Sequence, residues 1–322
     1  MLKKEYKIAV VANMSAGKST FLNAMFGDDI LPAYTVATTD CPIYIYSDDN
    51  PDNDKAIVEF EDARIPIELS KNIVKKELKF YAKKDSDDLD EKYKNVYRIH
   101  LYWDFKKLQN KNSSKFNFIF IDTPGPNNTD IFQEKHSNIT KNILSSEADM
   151  VLYLFDYVQI DSNLEATKNN LWNMIIQRKK QDKDFEVFFI INKIDKAFDD
   201  NKKLFKVKQS KTKDEFYKNL KEFWFYHEDK AIKKITKTAK KYGFENPRIF
   251  TASSKYEQLM RMQDISFDDE DEIDRLKELF KNMFGNNWQK ELRNYLNINW
   301  IEDNTKFHLE NIKNDFINTI AK

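Results

Sequence analysis

The chain has 322 residues, enough for one large domain or for one domain with a small appendage. Its 41% hydrophobic and 14% aromatic content exclude a disordered chain, and 53 basic against 53 acidic residues give no general pull toward nucleic acid or an anionic membrane. The single cysteine, Cys41, excludes an intrachain disulfide and any zinc site built on several cysteines, and fits a reducing cytoplasm; no run approaches the roughly 18 apolar residues of a membrane span. The opening residues lead straight into an apolar strand and read as mature protein, not as a signal peptide.

Residues 6–12, YKIAVVA, form a short apolar run bounded by a loop, as buried parallel strands are. Residues 18–26 then place Phe21, Leu22 and Met25 at helical spacing, giving strand, loop and helix. Residues 31–46 are a loop leading into a strand, 47–55 a polar turn, AIVEFE a strand and SKNIVKKELKFYAKK a helix. YRIHLYW (97–103), FNFIFIDTPGP (116–126), DMVLYLFDY (149–157), EVFFIINKID (186–195) and PRIFTASS (247–254) supply further strands, several ending in loops, and 163–180 is an amphipathic helix. Strands alternating with helices predict an α/β fold with a mostly parallel central sheet covered on both faces. The rest is helical: Ile273, Leu276, Leu279, Phe280, Met283 and Phe284 recur every three or four residues, as do Phe307, Ile312, Phe316 and Ile320 more loosely.

Glycine is scarce, five residues against a usual share of about 7%, so its placement is informative. Gly17 stands before Lys18, Ser19 and Thr20 at the end of the first strand. This is the last half of a phosphate-binding loop, in which backbone N–H groups wrap the β-phosphate, lysine meets the β- and γ-phosphates, and a hydroxyl ligates Mg²⁺ at a helix N-terminus. Ala12 replaces the usual first glycine, a change that costs little at negative φ. Asn13, Met14, Ser15 and Ala16 complete the loop. Asp122 ends an apolar strand in IDTPG, placed to hold Mg²⁺ through water, while the N–H of Gly125 can meet a γ-phosphate.

In INKID, Asp195 can accept two hydrogen bonds, from N1–H and the exocyclic amine of guanine, which adenine does not offer in that arrangement. Asn192 and Lys193 would brace that loop and cover the base. Three such motifs in this order resemble a GTPase. SAGKSTFLNAMFG followed by LPAYTVATTDCP resembles the dynamin superfamily, in particular bacterial dynamin-like proteins, over roughly residues 6–260.

The resemblance implies a three-layer phosphate-loop GTPase fold, with a G domain at 1–265 and a neck-like helical extension at 266–322 that is too short for a full stalk. It implies that Thr39, or failing it Thr38, holds Mg²⁺ and the attacking water. Ser253 and Ser254 in TASSK match the last guanine-contacting loop. Ser15 matches a serine that in some members helps bind K⁺ or Na⁺, whose charge substitutes for an arginine finger. Met14 departs from a glutamine that in some members orients the water. GTP hydrolysis to GDP, dimerisation through the G domain or with a dynamin-like partner, and a peripheral role in membrane remodelling follow as family expectations. The rivals are a nucleotide-gated binding module with slow turnover and an ATPase.

Three features have plainer readings. The fourteen lysines and five acids of 202–241 read as a solvated helical face, and the acidic run 267–274 as the cap of the next helix. The scattered His100, His136, His227 and His308 show no metal-ligand spacing, and Cys41 has no base beside it in sequence. The helices after about residue 270 are either core packing or a neck.

Overall fold

The computed structural model describes residues 4–12, 16–33, 41–47, 51–83, 89–103, 116–125, 130–160, 171–261, 273–301 and 319. Among these residues nine strands form one sheet: β1 (Lys4–Ala12), β2 (Ile43–Ser47), β3 (Lys55–Phe60), β4 (Ile67–Ser70), β5 (Val96–Trp103), β6 (Phe116–Asp122), β7 (Met150–Asp156), β8 (Glu186–Asn192) and β9 (Arg248–Thr251). Their order is β4-β3-β5-β2-β6-β1-β7-β8-β9, and five of the eight neighbouring pairs are parallel.

The parallel half runs from β6 to β9, with β1 beside both β6 and β7. Its strands are continuous apolar runs because both faces are covered; every residue of β7 is buried. The other half is mixed. β3 pairs antiparallel with both β4 and β5, and β2 pairs antiparallel with β6. β4 is a strand the sequence reading leaves out. It has four residues beginning just after Pro66, a stretch too short for a legible period.

The helices are α1 (Lys18–Phe26), α2 (Lys71–Tyr81), α3 (Asp130–Asn142), α4 (Leu171–Gln181), α5 (Asn201–Lys208), α6 (Lys213–Lys241), α7 (Ser254–Arg261), α8 (Asp274–Phe284) and α9 (Trp288–Ile301). One apolar layer packs Phe21, Leu22 and Met25 of α1 and Val74 and Leu78 of α2 against one sheet face. The opposite face is covered by Trp172 and Ile175 of α4 and by Ala231, Ile235 and Ala239 of α6. These are the three layers the sequence implies.

A third cluster joins Ile194, Ala197 and Phe198, from the turn after β8, to α5 and α6 and to Leu276 and Phe280 of α8 and Leu292 and Tyr295 of α9. The C-terminal helices thus share a core with the loop that follows β8. The lysine-rich 202–241 stretch covers all of α6 and all of α5 but its first residue, with most of its lysines on the outer face beside the exposed Phe205, Phe225 and Tyr226. Of the acidic run, Asp274 lies in the first turn of α8, while the cap residue is Ile273 with no side-chain cap bond; 267–272 lie outside the described residues.

Candidate nucleotide site

Parallel strands present their C-terminal ends at one edge of the sheet, where open α/β sheets bind ligands. Register puts the candidate residues there. Val10 pairs with Asp122, Ala12 with Leu154, Asp156 with Asn192, and Ile191 with Thr251.

Gly17 is the N-cap of α1 with φ 78 and ψ 43, the left-handed conformation that favours glycine. A Cβ at Gly17 would stand 3.0 Å from Asn192 Nδ2, so any other residue there would also have to push the Asn192 side chain aside. The Asn192 amide donates to the Ala16 carbonyl at 2.8 Å. Its oxygen accepts from the Ser254 hydroxyl at 2.7 Å and the Ser254 N–H at 3.1 Å. One buried side chain therefore ties together the three loops after β1, β8 and β9.

At the start of α1, Ser19 Oγ donates to Asp122 Oδ2 at 2.8 Å. Asp122 is wholly buried, and its Oδ1 has no hydrogen-bond partner among the described residues. Burial raises the Asp122 carboxyl above its ordinary value, while Lys18 and the Ser19 bond pull it down. Burial in turn lowers the Lys18 ammonium, opposed by Asp122. A serine hydroxyl, an oxygen-only carboxylate and an orphaned buried oxygen fit a hard cation such as Mg²⁺. Ser19 and Asp122 are the described residues that would hold it.

In the turn after β8, Asp195 is buried and receives the Ser253 hydroxyl at 2.5 Å. Burial raises its carboxyl, and the Ser253 bond lowers it. Lys193 has φ 61, and its ammonium meets Asp156 at 2.8 Å. Thr20 lies in the first turn of α1, half-buried. Asn13, Met14, Ser15, Thr38 and Thr39 lie outside the described residues.

A profile of the dynamin family matches residues 8–194, which is more than half of the chain. The chain belongs to the dynamin family. No curated protein matches it in sequence. Among solved structures, this dynamin-family chain is similar to two chains from work on an oligomerised bacterial dynamin pair, presented as a mechanism for long-range sensing and tethering of membranes. The first is 17% identical with a TM-score of 0.47, over 98% of this chain and 42% of that one. The second is 15% identical with a TM-score of 0.43, over 99% and 55%. Era of Aquifex aeolicus, bound to GDP and aluminium fluoride, is 16% identical with a TM-score of 0.36, over 78% and 52%. The chain spans about half the length of these structures.

Several positions that shape this dynamin-family site carry no motif. Thr123 donates its hydroxyl to the Val10 carbonyl at 2.8 Å, pinning the segment after Asp122 to β1. Buried His136 on α3 places Nδ1 3.1 Å from the Gly125 carbonyl, so Gly125 is held from the helix behind it. Asn23 is buried in α1; its amide donates to the Leu31 carbonyl at 2.8 Å and its oxygen accepts the Leu31 N–H at 2.9 Å, which fixes the chain just after α1. The one signal available in sequence was a polar residue at the end of, or inside, an otherwise apolar element.

Proposed function

We propose that this chain binds GTP with Mg²⁺ and hydrolyses it to GDP and phosphate by attack of a positioned water. The supporting observation is the Asn192 bridge between Ala16 and Ser254, which together with the Ser253–Asp195 bond holds the turn before Lys18 and the Asp195 carboxylate in one frame. In this reading the loop N–H groups and the α1 N-terminus receive the phosphates. Lys18 neutralises charge on the β- and γ-phosphates, and Ser19 and Thr39 serve as metal ligands, with Asp122 acting through water. Bound Mg²⁺ would supply charge neutralisation on the phosphate oxygens. The N–H of Gly125 meets the γ-phosphate.

Asp195 accepts N1–H and the exocyclic amine of guanine, and Ser253 aims that carboxylate. A buried acceptor left unpaired by adenine penalises ATP by roughly 1–3 kcal/mol or more. Dimerisation through the G domain, association with a second dynamin-like chain and peripheral work at a membrane belong to the same proposal, and family membership is their support.

Met14 favours a second reading, a GTP-gated binding module with slow turnover, because a thioether cannot orient water as an amide does. Phosphate release from GTP, measured at rising protein concentration, separates the two. A rate per chain that climbs with concentration supports a dimer-activated enzyme. Tight GTP binding with negligible release supports the gated module.

A further inference from the structure

We propose that Asp156 is a positioning residue of the nucleotide site, holding the Lys193 side chain across the phosphate-loop glycine so that the lysine stem forms a wall of the purine slot. The inference rests on the guanine-nucleotide reading above. Among the described residues, Lys193 and Asn95 are the non-glycine residues with positive φ. A side-chain-bearing residue adopts that conformation at a cost, and it persists where surrounding contacts enforce it.

Asp156 is the side chain that holds the far end of this lysine. It ends β7 opposite Asn192 in parallel register, one strand from the root of Lys193. Its Oδ2 receives the Lys193 ammonium at 2.8 Å and its Oδ1 the Val158 N–H at 2.9 Å. The Asp156 side chain is 6% exposed and that of Lys193 34%. Lys193 Cε lies 3.8 Å from the Cβ position of Gly17. The ammonium is therefore turned toward β7, and the methylenes are the part of this lysine that faces a bound nucleotide. The neighbouring Tyr157 hydroxyl lies 2.7 Å from Nδ1 of His227 on α6, which anchors the segment from behind.

Asp156→Asn tests this, because asparagine retains an oxygen for the Val158 N–H and loses the charge that holds Lys193. The expected result is dissociation of a fluorescent GDP about fivefold faster, the upper range for a partly exposed pair. The KM for GTP should rise by a similar factor, with a smaller change in kcat. Lys193→Met keeps the stem without its charge, and on that background Asp156→Asn should add little, since the two changes remove one interaction. If Asp156→Asn does not fold, Lys193→Met alone should show the same rise in dissociation rate. Folded Asp156→Asn protein that releases GDP within twofold of the wild-type rate overturns the inference while leaving the guanine reading intact. So does an undiminished effect on the Lys193→Met background. Wild-type protein that binds no guanine nucleotide overturns both.

Discussion

Gly17 and Asn192 approach each other so closely that a Cβ on the glycine would stand 3.0 Å from the asparagine amide, and Gly17 has φ 78 as well. A left-handed residue other than glycine costs about 1–2 kcal/mol. Gly17→Ala adds displacement of an amide that is anchored to Ala16 and Ser254. Nucleotide affinity should fall about tenfold or more, as read by titration with a fluorescent nucleotide, and the thermal midpoint of nucleotide-free protein should drop.

Asn192 should matter to the fold before any ligand arrives. Asn192→Ala leaves the buried Ala16 carbonyl and the Ser254 N–H and hydroxyl without this partner. Each unsatisfied buried group costs about 1–3 kcal/mol. Chemical denaturation of the nucleotide-free protein should show a loss of a few kcal/mol. A loss under about 0.5 kcal/mol, the size of an ordinary surface change, would contradict the bridge.

In the proposed reading Asp195, held by Ser253, selects the base. Asp195→Asn should weaken GTP far more than ATP, because the amide cannot accept both guanine donors. Ser253→Ala should narrow the GTP-to-ATP ratio by a smaller factor, since it loosens the carboxylate without removing it. Competition titrations with both nucleotides give the two ratios; equal losses for GTP and ATP in Asp195→Asn would favour an ATPase.

Stability should also depend on pH. Burial raises the carboxyls of Asp122 and Asp195 in the folded protein above the ordinary value of 3.8. The folded state then holds these protons more tightly than the unfolded state. Their contribution is complete below about pH 3.8 and is lost as pH rises through the elevated values. Denaturation midpoints of nucleotide-free protein, taken upward from pH 4, should show this decline superimposed on the other titrations. Asp122→Asn should make it shallower. Mg²⁺ with nucleotide should stabilise more strongly as pH rises, because the ionised carboxylate is the form that serves the cation.

Much of this was legible in the sequence because the chemistry is local. Gly17, Lys18 and Ser19 sit on consecutive residues after an apolar strand, and Asp122 and INKID close two others, so strand-end position alone brings them to one edge. The mixed half of the sheet was less legible. β4 is four residues long, and the antiparallel pairing of β2 with β6 has no local signature. The supporting contacts were hidden for a different reason: Asn192 to Ala16 spans 176 positions, Thr123 to Val10 113, and Lys193 to Asp156 37. Such pairings follow from strand order and register, which hydrophobic period does not encode.

The most direct test of the account is side-by-side titration of GTP and ATP, with Mg²⁺, into wild-type protein and Lys18→Ala. GTP should bind the wild type at least about tenfold more tightly than ATP, and Lys18→Ala should lose most of the GTP affinity while staying folded. Equal affinity for the two nucleotides, or GTP binding untouched by Lys18→Ala, would contradict it.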